Sequence, residues 1–149
     1  MFPQEKMEHS IDMLTSSLRR ASPDVLGAHV KGFNYLLNVL AKQEGRLHGV
    51  DDALLLNQSG MIAQASGANI FMVLQGLLPT PPSHDGALEG ITRDRVVQCA
   101  TELGIPAREA TLSRYDLFKA DQVFLTGTDA DVVPGASLES LRVASNADR

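Results

Sequence analysis

Ala53-Leu54-Leu55-Leu56-Asn57-Gln58-Ser59-Gly60-Met61-Ile62-Ala63 reads as two short apolar runs joined by four turn-forming residues. Two such runs across a Gly- and Asn-containing turn are the signal of a β-hairpin. A third apolar run, residues 70–74, follows, and Gln75-Gly76 turns the chain again before Leu77 and Leu78. Residues 79–86, PTPPSHDG, carry three prolines. Proline lacks a backbone donor, so this stretch is expected to be a loop and not a central strand.

Upstream of the hairpin, residues 10–18 (SIDMLTSSL) are a candidate strand, and Ser22-Pro23-Asp24 is a turn signal. From Val30 the period becomes helical. Phe33, Leu36, Leu37, Leu40 and Leu47 fall on one face, with Lys42, Glu44 and Arg46 mostly opposite, and Gly49 can end the helix. Downstream, Val96, Val97, Ala100 and Leu103 form the stripe of a second helix, with Thr92 as its expected N-cap and Gly104 as its C-terminal stop. Ser113 with Asp116 resembles a capping pair for a short third helix. Residues 123–125 and 132–133 are strands flanking TGTDAD, and the polar stretch after Pro134 reads as a frayed tail. Short mixed strands with about three helices predict an α/β (mixed α+β) fold in a single domain over residues 1–149.

The composition narrows function. A net charge of −5 argues against a nucleic-acid-binding face. One cysteine excludes an intrachain disulfide, and the four scattered histidines give no zinc spacing. No apolar run approaches the roughly 20 residues of a membrane span, and no signal peptide is visible. The expectation is a cytoplasmic domain without a metal.

Four ordered blocks carry chemistry. Lys31-Gly32-Phe33-Asn34-Tyr35-Leu36-Leu37-Asn38-Val39-Leu40-Ala41-Lys42 is the first. Gln64-Ala65-Ser66-Gly67-Ala68-Asn69-Ile70-Phe71 is the second, continued by Leu78-Pro79-Thr80 and Leu88-Glu89-Gly90-Ile91-Thr92-Arg93. The third, Gly90-Ile91-Thr92, stands at a helix start, where free amide donors suit a phosphate. The fourth is Ala120-Asp121-Gln122-Val123-Phe124-Leu125-Thr126-Gly127-Thr128-Asp129-Ala130-Asp131. By residue type alone, Lys31 reads as a solvated lysine and Thr92 as an ordinary N-cap.

Together these blocks resemble the class IV aminotransferases, the branched-chain and D-amino-acid transaminase family, over about residues 14–134. The resemblance implies the cofactor-carrying large domain of a pyridoxal 5′-phosphate (PLP) enzyme. Lys31 matches the Schiff-base lysine, and Tyr35 the tyrosine that bonds the cofactor's phenolic oxygen. The amides of Ile91 and Thr92, with the hydroxyls of Thr92 and Thr128, match the phosphate site. Thr128 and Asp129 fall in the substrate-carboxylate region, where Asp129 adds a negative charge in place of a small residue. Gln64 stands where the family has the glutamate that pairs with the pyridine nitrogen.

The implied function is a transaminase moving an amino group between a small, branched-chain amino acid and a 2-oxo acid. The alternatives are an impaired or non-catalytic paralogue acting with a partner chain, and a lyase of the aminodeoxychorismate type. The family's smaller N-terminal domain has no counterpart here, which implies a truncated chain, a homodimer or a partner chain that supplies the rest. Residues 135–149 are expected to be a tail.

Overall fold

A computed structural model describes residues 11–22, 35–127, 131–138 and 141–142. Its elements in chain order are β1 (Ile11–Arg19), α1 (Leu36–Leu47), β2 (Asp52–Leu56), β3 (Ile62–Ala65), β4 (Asn69–Val73), β5 (Leu78–Thr80), α2 (Ile91–Glu102), β6 (Ala107–Glu109), α3 (Arg114–Lys119), β7 (Gln122–Gly127), β8 (Asp131–Leu138) and β9 (Leu141–Arg142). The fold is mixed α/β, as the sequence predicts.

Seven strands form one mixed sheet in the order β3-β2-β1-β8-β7-β4, with β9 paired to β8. β1 runs parallel to β2 and β8, while β2–β3, β4–β7 and β7–β8 are antiparallel. The parallel pair β1–β2 needs a crossover, and α1 lies within it. The sheet path ends at β3 and β4, yet only residues 66–68 separate those strands in sequence. So short a link spans little distance, and the sheet must therefore curl until its ends meet.

Strand alternation sorts the side chains accordingly. Ile11, Met13, Leu54, Leu56, Ile70, Met72, Val123 and Leu125 point into the curl and form one core with Leu117 of α3. The alternate residues face outward and are covered by helices. Ala53, Leu55, Leu14 and Leu18 pack on Ala41 of α1. Phe71, Val73 and Phe124 pack on Val96, Val97 and Ala100 of α2, with the two phenyl rings stacked at 5.1 Å.

Three local expectations are corrected. The leucine stripe of α1 is not its buried face: Asn38, Ala41 and Gly45 are, while Leu36 (62%) and Leu47 (76%) are exposed. Small residues let the helix approach the strand. A Cβ built on Gly45 would stand 3.1 Å from the Asp52 carbonyl oxygen. Pro79 lies inside β5, opposite Arg108 of β6 in a separate two-stranded parallel sheet. That sheet is all edge, so a missing donor is tolerated. The stretch after Pro134 is not frayed at its start. Gly135 pairs with Val123 and Ile11, and Ser137 and Leu138 pair with Asp12 and Met13. The expected turn at Ser22-Pro23-Asp24 and the helix start at Val30 fall largely outside the described residues.

The helix ends follow the sequence signals more closely. Gly49 (φ 76°) and Gly104 (φ 71°) take the left-handed conformation that glycine permits. The Val50 and Ile105 N–H groups donate back to Gly45 and Ala100, closing both helices. Ser113 and Asp116 form a complete capping box at α3.

Hydrogen bonds from Ser113 hold the Asp116 carboxyl below its ordinary value against desolvation. For Glu44, desolvation acts upward, but bonds from the Ser16 hydroxyl and Ser17 N–H outweigh it and the net shift is downward. A depressed folded pKa contributes stability that is present above the unfolded value and lost as pH falls through the folded one. The chain should therefore lose stability on acidification below about pH 4. Ser113→Ala should cost about 1 kcal/mol at neutral pH and flatten that acid slope, as read by urea unfolding at stepped pH.

Candidate active site

The turn Ser66–Ala68, where the sheet ends meet, is the centre of the site. Residues opposite one another across a strand pair share a face. Gln64 pairs with Leu55, and so stands on the outer face that carries α1. Asn69 pairs with Thr126, and alternation puts both on the outer face beneath α2.

The wall on the α1 side is hydrogen-bonded through the Ser66 carbonyl. The Tyr35 hydroxyl donates to it at 3.2 Å and Asn38 Nδ2 at 2.6 Å. Arg20 Nη1 donates to Asn38 Oδ1 at 3.0 Å, and Arg20 Nε to the Gly86 carbonyl at 3.0 Å. Burial lowers the Arg20 pKa, an effect the neighbouring Tyr35 partly opposes. Beneath them, Asp52 accepts from the Ser66 hydroxyl, accepts from Ala53 N–H at 2.7 Å and faces Lys42 Nζ at 3.2 Å. Sequence reading missed Arg20, Asn38 and Asp52. The only signal was a cation just past a strand and two polar residues in apolar surroundings.

The wall on the α2 side turns on Leu88, held at both backbone polar groups. Its N–H donates to Gln64 Oε1 at 2.8 Å, and its carbonyl accepts from Asn69 Nδ2 at 2.7 Å. The next turn leads into α2. Thr92 is not the N-cap, as the sequence led us to expect. Gly90 is, and it offers no side-chain cap. Contacts explain the glycine: a Cβ there would collide with Asn69 Oδ1. Gly90→Ala should therefore cost about 1–3 kcal/mol in urea unfolding, because Asn69 is tied to Leu88 and has little room to yield.

Two more signature residues also serve the scaffold. The Thr80 hydroxyl donates to the Ile70 carbonyl at 2.8 Å. Arg93 Nη2 pairs with Glu109 at 2.6 Å and donates to the Pro81 carbonyl at 3.2 Å, tying α2 to β6.

Tyr35 thus reaches Ser66, Gln64 precedes the turn by two residues, and Asn69, which follows Ala68, contacts Gly90 just ahead of Ile91 and Thr92. Lys31, Thr128 and Asp129 lie outside the described residues. Their described sequence neighbours border the same turn: Tyr35 at Ser66, and Gly127, whose Cβ would stand 3.5 Å from the Gly67 carbonyl oxygen. The residues present fit an anionic, ring-shaped cofactor. The first turn of α2 has no N-cap side chain bonded to its amides. The buried Thr126 hydroxyl beside Asn69 has no partner among the described residues. Among those residues there is no metal-binding cluster, and no helix is long and apolar enough to cross a membrane.

Comparison with known proteins identifies the family. The branched-chain-amino-acid aminotransferase of Escherichia coli (strain K12) is 42% identical over 140 residues, which are 93% of this chain and 45% of that enzyme. The crystal structure of the Escherichia coli branched-chain amino acid aminotransferase superposes with a TM-score of 0.93 at 41% identity, over 95% of this chain and 47% of that one. The branched-chain amino acid aminotransferase from Thermobaculum terrenum, in its PLP-bound holo form, gives 0.87 at 37% identity, over 93% and 46%. The chain spans about half the length of the curated relatives it matches. A family profile described as Amino-transferase class IV matches residues 1–138, and with that coverage and those identities the chain belongs to the class IV aminotransferases.

Proposed function

We propose that this chain is the cofactor-carrying part of a PLP-dependent aminotransferase that moves an amino group between a branched-chain amino acid and a 2-oxo acid. The observation that carries the reading is that Tyr35 bonds Ser66, Gln64 and Asn69 on either side of the same turn both hold Leu88, and Asn69 contacts Gly90 at the uncapped start of α2.

When bound, the cofactor supplies an electron sink for loss of the substrate's α-proton. Lys31 would hold it covalently and shuttle that proton, acting in its neutral form. The Tyr35 hydroxyl, held beside Ser66, would turn its one hydrogen from the Ser66 carbonyl to the ring's phenolic oxygen. The Ile91 and Thr92 amides, with the hydroxyls of Thr92 and Thr128, would bind the phosphate, where the helix dipole favours an anion. The substrate carboxylate would lie near Thr128, with Asp129 opposing it and weakening substrate binding. The test is addition of PLP to the chain. Visible absorption from a lysine-bound cofactor, followed by its conversion on adding a branched-chain amino acid, supports the reading. Absence of uptake overturns it.

The exposed Leu36, Val39, Leu40 and Leu47 of α1 favour an apolar partner surface, either a second copy or a chain completing the site, in the cytoplasm. Leu36→Glu with Leu40→Glu should shift the chain to a smaller species in sizing and light scattering. Thermal stability should change little, since exposed substitutions usually fall within about 0.5 kcal/mol. An unchanged mass distribution counts against the interface.

A further inference from the structure

We propose that Gln64 holds the cofactor's ring nitrogen in its unprotonated form, by donating a side-chain amide hydrogen to it. The proposal rests on the reading of this site as a PLP site. A glutamine can in principle accept from a protonated ring nitrogen or donate to an unprotonated one, and the structure separates the two.

The Leu88 backbone N–H can only donate, so the side-chain atom 2.8 Å from it must be the amide oxygen. That contact fixes which way round the amide sits, whatever orientation the free side chain prefers. Oε1 is occupied, and Nε2 is the end of the group with hydrogens to give. Gln64 is 4% exposed, and a ring seated against Nε2 would close it off from water; a donor so covered without an acceptor is costly. An unprotonated ring nitrogen supplies that acceptor, and a protonated one does not.

The surroundings act in the same direction. Among the described residues no carboxylate hydrogen-bonds Gln64. Asp52 is taken by Lys42, Ser66 and Ala53, and Asp85 Oδ1 accepts from Asn57. The Arg20 guanidinium is linked through Asn38 to the Ser66 carbonyl, and the Asp52 carboxylate at the Ser66 hydroxyl is offset by Lys42. A glutamate at this position could give one oxygen to Leu88 N–H and the other to a protonated ring. The Leu88 contact is therefore compatible with either residue, and the identity of residue 64 sets the ring's protonation state.

The experiment uses the full chain loaded with PLP carrying 15N in the ring, observed by nitrogen NMR. The expected signal is that of an unprotonated ring nitrogen, unmoved across the neutral pH range, and Gln64→Glu should move it to the protonated position. In parallel, the carbocyclic analogue with CH in place of the ring nitrogen should bind the unaltered chain about two- to tenfold more weakly than PLP, the worth of one net hydrogen bond. A protonated nitrogen in the unaltered chain, or equal affinity for PLP and the analogue, overturns the proposal and leaves the cofactor site intact. A chain that takes up neither compound overturns the assignment of the site as well. Both decisive measurements are made on the unaltered chain, so they stand even where Gln64→Glu misfolds.

Discussion

Lys31→Ala should abolish covalent attachment of PLP and lower turnover at least about a hundredfold, and up to about ten-thousandfold, the range a positioned proton-transfer group contributes. The chain has four lysines, and the two that lie among the described residues are engaged elsewhere. Lys42 faces the buried Asp52 carboxylate at 3.2 Å, and an amine committed to an ion pair has no free lone pair with which to attack an aldehyde. Lys119, on α3, lies over the Tyr115 ring at 4.1 Å. Borohydride reduction followed by peptide mapping should place the label on Lys31. Label confined to Lys42 or Lys119 would sink the assignment, as would a Lys31→Ala variant that keeps its visible absorption.

The largest effect on stability is expected at Asp52. Its side chain is fully buried and serves Lys42, Ser66 and the Ala53 N–H at once. Asp52→Ala leaves a cation and two donors without their acceptor. Losing one partner of a buried ion pair costs about 3–5 kcal/mol, and the lower end applies because the Lys42 side chain is 28% exposed and can reach water. A domain of this size has about 5–15 kcal/mol in total, so the urea midpoint should fall steeply. Asp52→Asn keeps an acceptor for Ser66 and Ala53 and should cost clearly less. Asp52→Ala should also weaken PLP binding, because the Ser66 carbonyl that receives Tyr35 and Asn38 loses its support. A stability loss under about 1 kcal/mol from Asp52→Ala, well below the usual cost of orphaning a buried charge, would show that Lys42 and Ser66 find other partners.

Much of the fold is legible locally. The hairpin β2–β3 follows from two apolar runs around Asn57-Gln58-Ser59-Gly60. The stops at Gly49 and Gly104 and the Ser113–Asp116 box follow from residues whose backbone preferences or short side chains act within a few positions. Such signals survive because their partners are close in sequence. The family, too, was legible, from motifs at fixed spacing.

The same rules misled where a partner lay outside the element itself. The leucines of α1 form a clean stripe, but a stripe does not say which surface will cover it. Gly45 and Ala41 fit closely against β2, and the leucines were left facing outward. Pro79 argued against a strand until β6, far along the chain, offered an edge beside it.

What the sequence by itself determined was membership and inventory: the class IV motifs, the residue types that hold a phosphate and a ring, and the departure at Gln64. Tertiary structure decided what those residues do for one another. Among the signature residues, Asn69 and Gly90 meet at the start of α2, Thr80 ties β5 to β4, and Arg93 ties α2 to β6, each through a partner ten or more residues away. The orientation of Gln64 depends on Leu88, 24 residues away. The Tyr35 anchor depends on a buried carboxylate that no motif marks. Hydrogen bonds act only at contact distance, and sequence spacing reports contact only within a helix turn or a hairpin.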